Sequence, residues 1–163
     1  VTGYRGVRGF TLIEMMVVLV LLVIAISIAI PSVTSMIRNQ SVTTASDELY
    51  GLLQYARGEA VTRGQRVSIT ATGSTAWTGT LDVQANRDGS ATTLRHYESL
   101  DKPEITASAV GAAISALDFY ANGSSSSATT ITLCYDGDTT VSGKVISVAR
   151  SGQISAPERV SCE

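Results

Sequence analysis

The chain has 163 residues, 12 basic and 14 acidic, for a formal net charge of −2, and a single histidine. That length holds one domain of ordinary size besides a leader or an anchor. The acidic balance argues against nucleic acid as the main partner, and one histidine with two distant cysteines offers no metal-ligand spacing.

Residues 1–9 are polar and basic, with Arg5 and Arg8, and are too short to fold. From Phe10 to Ile30 only Thr11, Glu14 and Ser27 interrupt an apolar run. As a helix that run is roughly 30 Å long, the thickness of a bilayer hydrocarbon core. The two arginines keep the amino-terminal side in the cytoplasm and send the rest across. A secretory signal cut near Ala25-Ile26-Ser27 fits this pattern, and so does an uncleaved anchor. Neither gives Gly9 or Glu14 a role. A carboxylate in hydrocarbon costs on the order of 2–3 kcal/mol at mid-bilayer, so Glu14 needs a compensating charge.

Pro31 is expected to remove one backbone hydrogen bond and bend the helix. Beyond it Ile37, Val42, Ala45, Leu49, Leu52, Leu53, Ala56, Ala60 and Val61 recur mostly three or four apart. Arg38, Asp47, Glu48, Arg57, Glu59 and Arg63 fill much of the other face, which makes this half amphipathic. Gly64 is placed to cap it. The whole reads as one long helix, apolar in its first half and core-facing in its second.

After Gly64 the period becomes two. Strands are expected at 67–71, 77–83, 94–100, 105–110, 114–120, 131–135 and 145–149, each bounded by turn formers. They predict an α+β domain, a mostly antiparallel sheet packed on the helix. Asn122-Gly123 and the serines to Ser127 read as a flexible exposed connection. Asn86-Arg87-Asp88-Gly89 and Asp136-Gly137-Asp138 carry calcium-like acids but no bidentate acid to close a ligand loop, so they read as turns. Cys134 and Cys162 lie beyond the membrane, where an even count favours a disulfide, with two buried thiols as the alternative. His96, between Arg95 and Tyr97, is expected on a surface or edge strand. No nucleophile triad, phosphate loop or paired metal ligands stand out, so no catalytic residue, metal or cofactor is assigned and an enzyme is not expected.

Gly9 to Glu14, Gly-Phe-Thr-Leu-Ile-Glu, resembles the cleavage signature of type IV prepilins and of the pseudopilins of type II secretion, at all six positions. The resemblance implies a prepilin peptidase that cuts after Gly9 and methylates the amine of Phe10. It implies that Glu14 pairs with the terminal amine of a neighbouring subunit and sets axial register. The chain then divides into a leader (1–9), a transmembrane and filament-core helix (10–31) and a periplasmic domain (32–163). Losing the leader removes two basic residues and no acid, leaving ten against fourteen, a formal −4.

The stretch Leu49 to Val67 resembles the GspH/FimT branch, above all in Ala56-Arg57 and Glu59-Ala60 before Arg63. Ile131-Thr-Leu-Cys134 and Val145 to Ile154 follow the order of strands, cysteine and terminal turn of that branch. The resemblance implies the type IV pilin fold and a minor pilin or pseudopilin. Such a subunit enters or primes a type IV pilus or a type II secretion pseudopilus at the inner membrane. Other pilins and an inner-membrane assembly platform are its expected partners. The alternative function is DNA binding in natural transformation, which in such members rests on Gly-Arg-x-Arg in the terminal turn. Here that turn is Gly152-Gln153-Ile154-Ser155, which leaves Lys144, Arg150 and Arg159 as a weak patch.

Overall fold

The structure is a computed structural model that describes residues 10–72, 77–87, 89–98, 104–111 and 116–162, with backbone alone at 28–32 and 72. Among the described residues one helix, α1 (Leu12–Arg63), precedes eight strands: β1 (Arg66–Thr72), β2 (Thr80–Arg87), β3 (Ser90–Tyr97), β4 (Ile105–Gly111), β5 (Ala116–Phe119), β6 (Thr129–Tyr135), β7 (Gly143–Val148) and β8 (Glu158–Val160). The chain divides into two compact units, residues 1–37 and 38–163.

The first unit is helical from Leu12, and α1 continues without interruption across Pro31, as the reading of one long helix expects. A proline removes one donor and crowds one carbonyl, and a helix can carry that loss without ending. The large apolar side chains described between Phe10 and Ile26 are all exposed, Leu12 at 79% and Ile26, the least, still at 47%. Among the described residues no helix is long and apolar enough to cross a membrane. The fully described part of the apolar run, 12–27, is shorter than the roughly 20 residues that a span takes. The side chains of its continuation, 28–32, are not among those described.

In the second unit the helix buries one stripe: Val42, Ala45, Leu49, Leu52, Leu53, Ala56 and Ala60 are at most 2% exposed. Full burial of a leucine contributes roughly 1.5–3 kcal/mol, so Leu49, Leu52 and Leu53 anchor the helix to the sheets. Ile37 and Val61 are exposed, at 61% and 52%, although both match the apolar spacing. The sheets cover the helix only where their inner faces reach it.

The strands make two antiparallel sheets of four, ordered β3-β2-β1-β5 and β4-β6-β7-β8, where the sequence suggests one. Alternation fixes the inner faces: Leu81, Val83 and Ala85 of β2 point inward, as do Ile131 and Leu133 of β6. Both sheets and the helix stripe share one core. The expected strand at 77–83 begins three residues late, because Trp77 lies in a turn with φ 71°. A left-handed backbone at a bulky residue is strained, and complete burial of the indole compensates. The expected 94–100 strand is instead Ser90–Tyr97, while 99 and 100 lie outside the described residues.

β8 has no counterpart in the sequence reading. It is three residues long and mostly polar, and it exists because Lys144 pairs with Arg159 and Gly143 with Val160. A disulfide between Cys134 and Cys162 fastens its end, with sulfurs 2.02 Å apart. Closing a loop of 28 residues contributes about 3–4 kcal/mol in the chain-entropy picture. Gly143 lies beneath the bridge: a Cβ there would sit 2.5 Å from the sulfur of Cys162 and 2.8 Å from the Leu133 carbonyl.

The 122–127 connection is no free loop, contrary to its composition. Gly123, Ser125 and Ser127 are buried. The Ser125 N–H donates to the Arg150 carbonyl at 3.0 Å, and the Gly152 N–H to the Ala149 carbonyl at 2.8 Å. Arg57 of the helix donates through Nε to the Gly123 carbonyl at 3.1 Å. Three distant segments therefore meet at two glycines, each with positive φ.

Reduction of the disulfide is expected to lower the melting temperature by several degrees, with β8 the first segment to lose amide protection. Gly152→Ala tests the meeting of turns. Its φ is +80° and the new Cβ would lie 1.8 Å from the Gly123 carbonyl oxygen. The expected loss is on the order of 3 kcal/mol, read by denaturant titration. Gly137→Ala has similar φ (+70°) but open space around it, and is expected to cost only about 1 kcal/mol. Equal losses would show that backbone strain alone, and not the close approach, decides these positions.

Candidate assembly and processing site

The helix start is built from the amino-terminal signature itself. Phe10 and Thr11 are not helical, and α1 begins at Leu12. The Thr11 hydroxyl accepts from the Glu14 N–H at 3.3 Å, and the Thr11 carbonyl from the Met15 N–H at 3.2 Å. Thr11 is therefore the N-cap and Glu14 the third helical residue, the spacing of a capping box. An acid in the first turn also meets the positive end of the helix dipole, worth typically 0.3–1 kcal/mol. Glu14 and Phe10 are both exposed.

This start has a consequence for charge pairing. An amine at Phe10 would not sit one helical turn before Glu14, because Phe10 lies outside the helix. The i to i+4 geometry that would let the chain satisfy its own carboxylate is therefore not imposed by the fold. Gly9 lies outside the described residues.

Of the three cations in the terminal region, Lys144 and Arg159 face each other across β7 and β8. Arg150 lies in the turn beyond the far end of β7, six residues from Lys144 and so about 20 Å away along an extended strand. Two like charges opposite each other and a third well apart make a poor phosphate track, which needs several cations together. The turn around Gly152 is occupied in packing against Gly123.

Two charged poles of the second unit escaped the sequence reading. Near the start of its helix, Arg38 pairs with Asp138 and stacks on Tyr135, 5.2 Å from the ring centre. The Tyr135 hydroxyl donates to Glu104 at 3.0 Å, and the Asn39 side chain accepts from the Ser142 N–H at 3.2 Å. The hydroxyl and N–H of Thr140, together with Arg38, hold the Asp138 carboxyl below its ordinary value. The hydrogen bond to Glu104 raises Tyr135. Where the helix ends, Arg63, Gly64, Gln65, Arg66, Asn86 and Arg87 line an open cleft of about 640 Å³. The cleft needs the helix end, the β1 start and the β2 end together. The only sequence signal was the arginine density around Gly64. His96 lies on edge strand β3, paired with Asp82 across to β2 and 3.4 Å from Glu98.

Compared with known proteins, residues 45–152 match the family described as type II transport protein GspH, and residues 4–30 match the prokaryotic N-terminal methylation motif. The crystal structure of the type IV minor pilin FimU of Pseudomonas aeruginosa superposes with a TM-score of 0.65 at 30% identity, over 76% of this chain and 96% of that one. A second crystal form of FimU gives 0.61 at 32% identity, over 74% and 98%. The minor pseudopilin EpsH of the Vibrio cholerae type II secretion system gives 0.57 at 12% identity, over 74% and 97%, a likeness of fold. No curated protein sequence matches.

His96 supplies a pH test. The hydrogen bond that the ring donates to the Asp82 carboxylate, and then the nearby Glu98, raises it above its ordinary 6.5. A raised value favours the folded state while the ring is charged. That contribution is fully present below about 6.5 and is lost as pH rises through the folded value. The ring protons are expected to titrate above 6.5 by NMR, and Asp82→Asn is expected to bring the midpoint back down. Asp138 works with the opposite sign: its contribution is present above 3.8 and fades as pH falls through its depressed value.

Proposed function

This chain belongs to the family of type II transport protein GspH, and we propose that it is a minor pilin or pseudopilin. It is a structural subunit that enters or primes a thin filament. The observation that carries this reading is the helix that begins with the methylation motif. Its residues 12–27 present apolar side chains on every side, and its later turns serve as one wall of a folded domain. A soluble monomer does not leave that much contiguous apolar surface open. Lipid covers it before assembly and the helices of neighbouring subunits cover it afterwards.

In this reading the precursor spans the inner membrane once, with Arg5 and Arg8 in the cytoplasm and the domain from residue 32 in the periplasm. A prepilin peptidase cuts between Gly9 and Phe10 and methylates Phe10. The amine stays charged, and Glu14 of an adjacent subunit neutralises it in apolar surroundings, where either charge alone would be costly. A non-helical Phe10 favours the neighbour over the chain's own acid. Other pilins and an inner-membrane assembly platform are the partners. The type IV pilus is the preferred setting, on 30% and 32% identity to a type IV minor pilin against 12% to a type II pseudopilin.

Co-expression with a prepilin peptidase is expected to yield a chain whose intact mass begins at N-methylated Phe10. A mature start after Ser27 would discard this reading. Glu14→Ala is expected to cut incorporation into filaments at least tenfold, the effect of losing about 1.4 kcal/mol or more of pairing. Amide exchange in the domain from residue 38 onward should not change.

A further inference from the structure

The Gly9–Phe10 amide, which a prepilin peptidase cuts in the reading above, lies just before the helix. Phe10 is 74% exposed, and Phe10 and Thr11 both stand outside α1. Proteolysis concentrates where backbone is exposed and free of regular structure, whereas a helical amide has its groups tied to neighbouring turns. An apolar run does not by itself keep a helix from growing backward over that amide. Each added residue gains a backbone bond, and apolar surroundings penalise an unpaired N–H. The deciding donor is the Glu14 N–H. In a helix one residue longer at its start it would bond to the Phe10 carbonyl, four residues back. Here it donates to the Thr11 hydroxyl at 3.3 Å, and the Thr11 carbonyl accepts from the Met15 N–H at 3.2 Å. The cap and the longer helix compete for one hydrogen.

We propose that Thr11 is a positioning residue for maturation: its hydroxyl holds the Glu14 N–H, stops α1 at Leu12 and keeps Phe10 outside the helix, where the peptidase reaches the bond before it. The inference rests on the processing reading above and adds to it a residue that presents the bond. Thr11 acts through the backbone and takes no part in the chemistry. Hydrolysis adds one water across the amide, leaving a carboxylate on Gly9 and an amine on Phe10, with catalysis supplied by the peptidase. An N-cap residue keeps non-helical dihedrals while its side chain accepts from the N–H two or three residues on, so the bond exists only while Thr11 stays outside the helix. Without that acceptor the Glu14 N–H returns to the Phe10 carbonyl. Gly9 is then the next residue that serves as an N-cap, and Phe10 becomes the first helical residue.

The test uses the full chain in detergent micelles with a purified prepilin peptidase, and follows the mature product by intact mass over time. Thr11→Val keeps the shape of the side chain and removes the acceptor. It is expected to be cut about fivefold more slowly or worse, the effect of a lost cap. Thr11→Ser and Thr11→Asn cap as well as threonine does and are expected to stay within about twofold of the unaltered chain. Carbon chemical shifts of Phe10 in the same micelles supply a second readout. They are expected to move to helical values in Thr11→Val and to stay in place in Thr11→Ser and Thr11→Asn. Equal rates for Thr11→Val and the unaltered chain would overturn the proposal. Serine and asparagine variants as slow as the valine variant would overturn it too, because the enzyme would then be reading threonine itself. So would a slow Thr11→Val whose Phe10 shifts do not change. Each of these outcomes leaves the processing reading standing, since the unaltered chain is cut after Gly9. An unaltered chain that is not cut there would count against that reading and take this proposal with it.

Discussion

The constraint on which this structure depends is that one helix has to satisfy two environments. From Val42 to Ala60 its apolar stripe is closed off by the chain's own sheets, so burial holds the second unit together. From Leu12 to Ile26 the large apolar side chains are all exposed. A helix that is apolar all round needs lipid or other helices, while one with a single stripe needs one sheet face. The second unit begins at Arg38. There the helix makes polar contacts with the segment around Asp138.

Those polar contacts explain how the second unit begins. Arg38 and Asn39 reach the 138–142 segment through an ion pair and a hydrogen bond to backbone, one turn before the first buried residue, Val42. A partly exposed ion pair contributes little by itself. Its value here is directional, because the stacked Tyr135 and its partner Glu104 allow only a narrow set of positions for Arg38. Farther along, Arg57 performs a comparable service for the two glycine turns at 123 and 152. The charged face of the helix is thus a set of fasteners, each placed where a loop of the sheets comes near.

The same logic separates structural from functional residues in the terminal region. The turn at Gly152 binds the connection at 122–127, and its backbone is too close to Gly123 to tolerate a side chain. Lys144 and Arg159 are strand partners at the edge of a sheet, fastened by the disulfide.

Local chemistry determined much of this in advance. The apolar run, the amphipathic stripe, the glycine that ends the helix and the alternating strands are encoded in neighbours three, four or two apart, so periodicity alone reveals them. The Gly9–Glu14 signature is likewise contiguous, and its threonine and glutamate become the helix cap. What tertiary structure decided depends on residues far apart in the chain. Two sheets instead of one, the short strand β8, the burial of Ser125 and Ser127, and the exposure of Ile37 and Val61 follow from which surfaces find a partner. The arginine cleft belongs to that second class, because residues 63, 66 and 87 become neighbours only when a helix end and a hairpin are folded to one pole. Spacing in sequence reports the face of an element, but it carries no record of what another element places against that face.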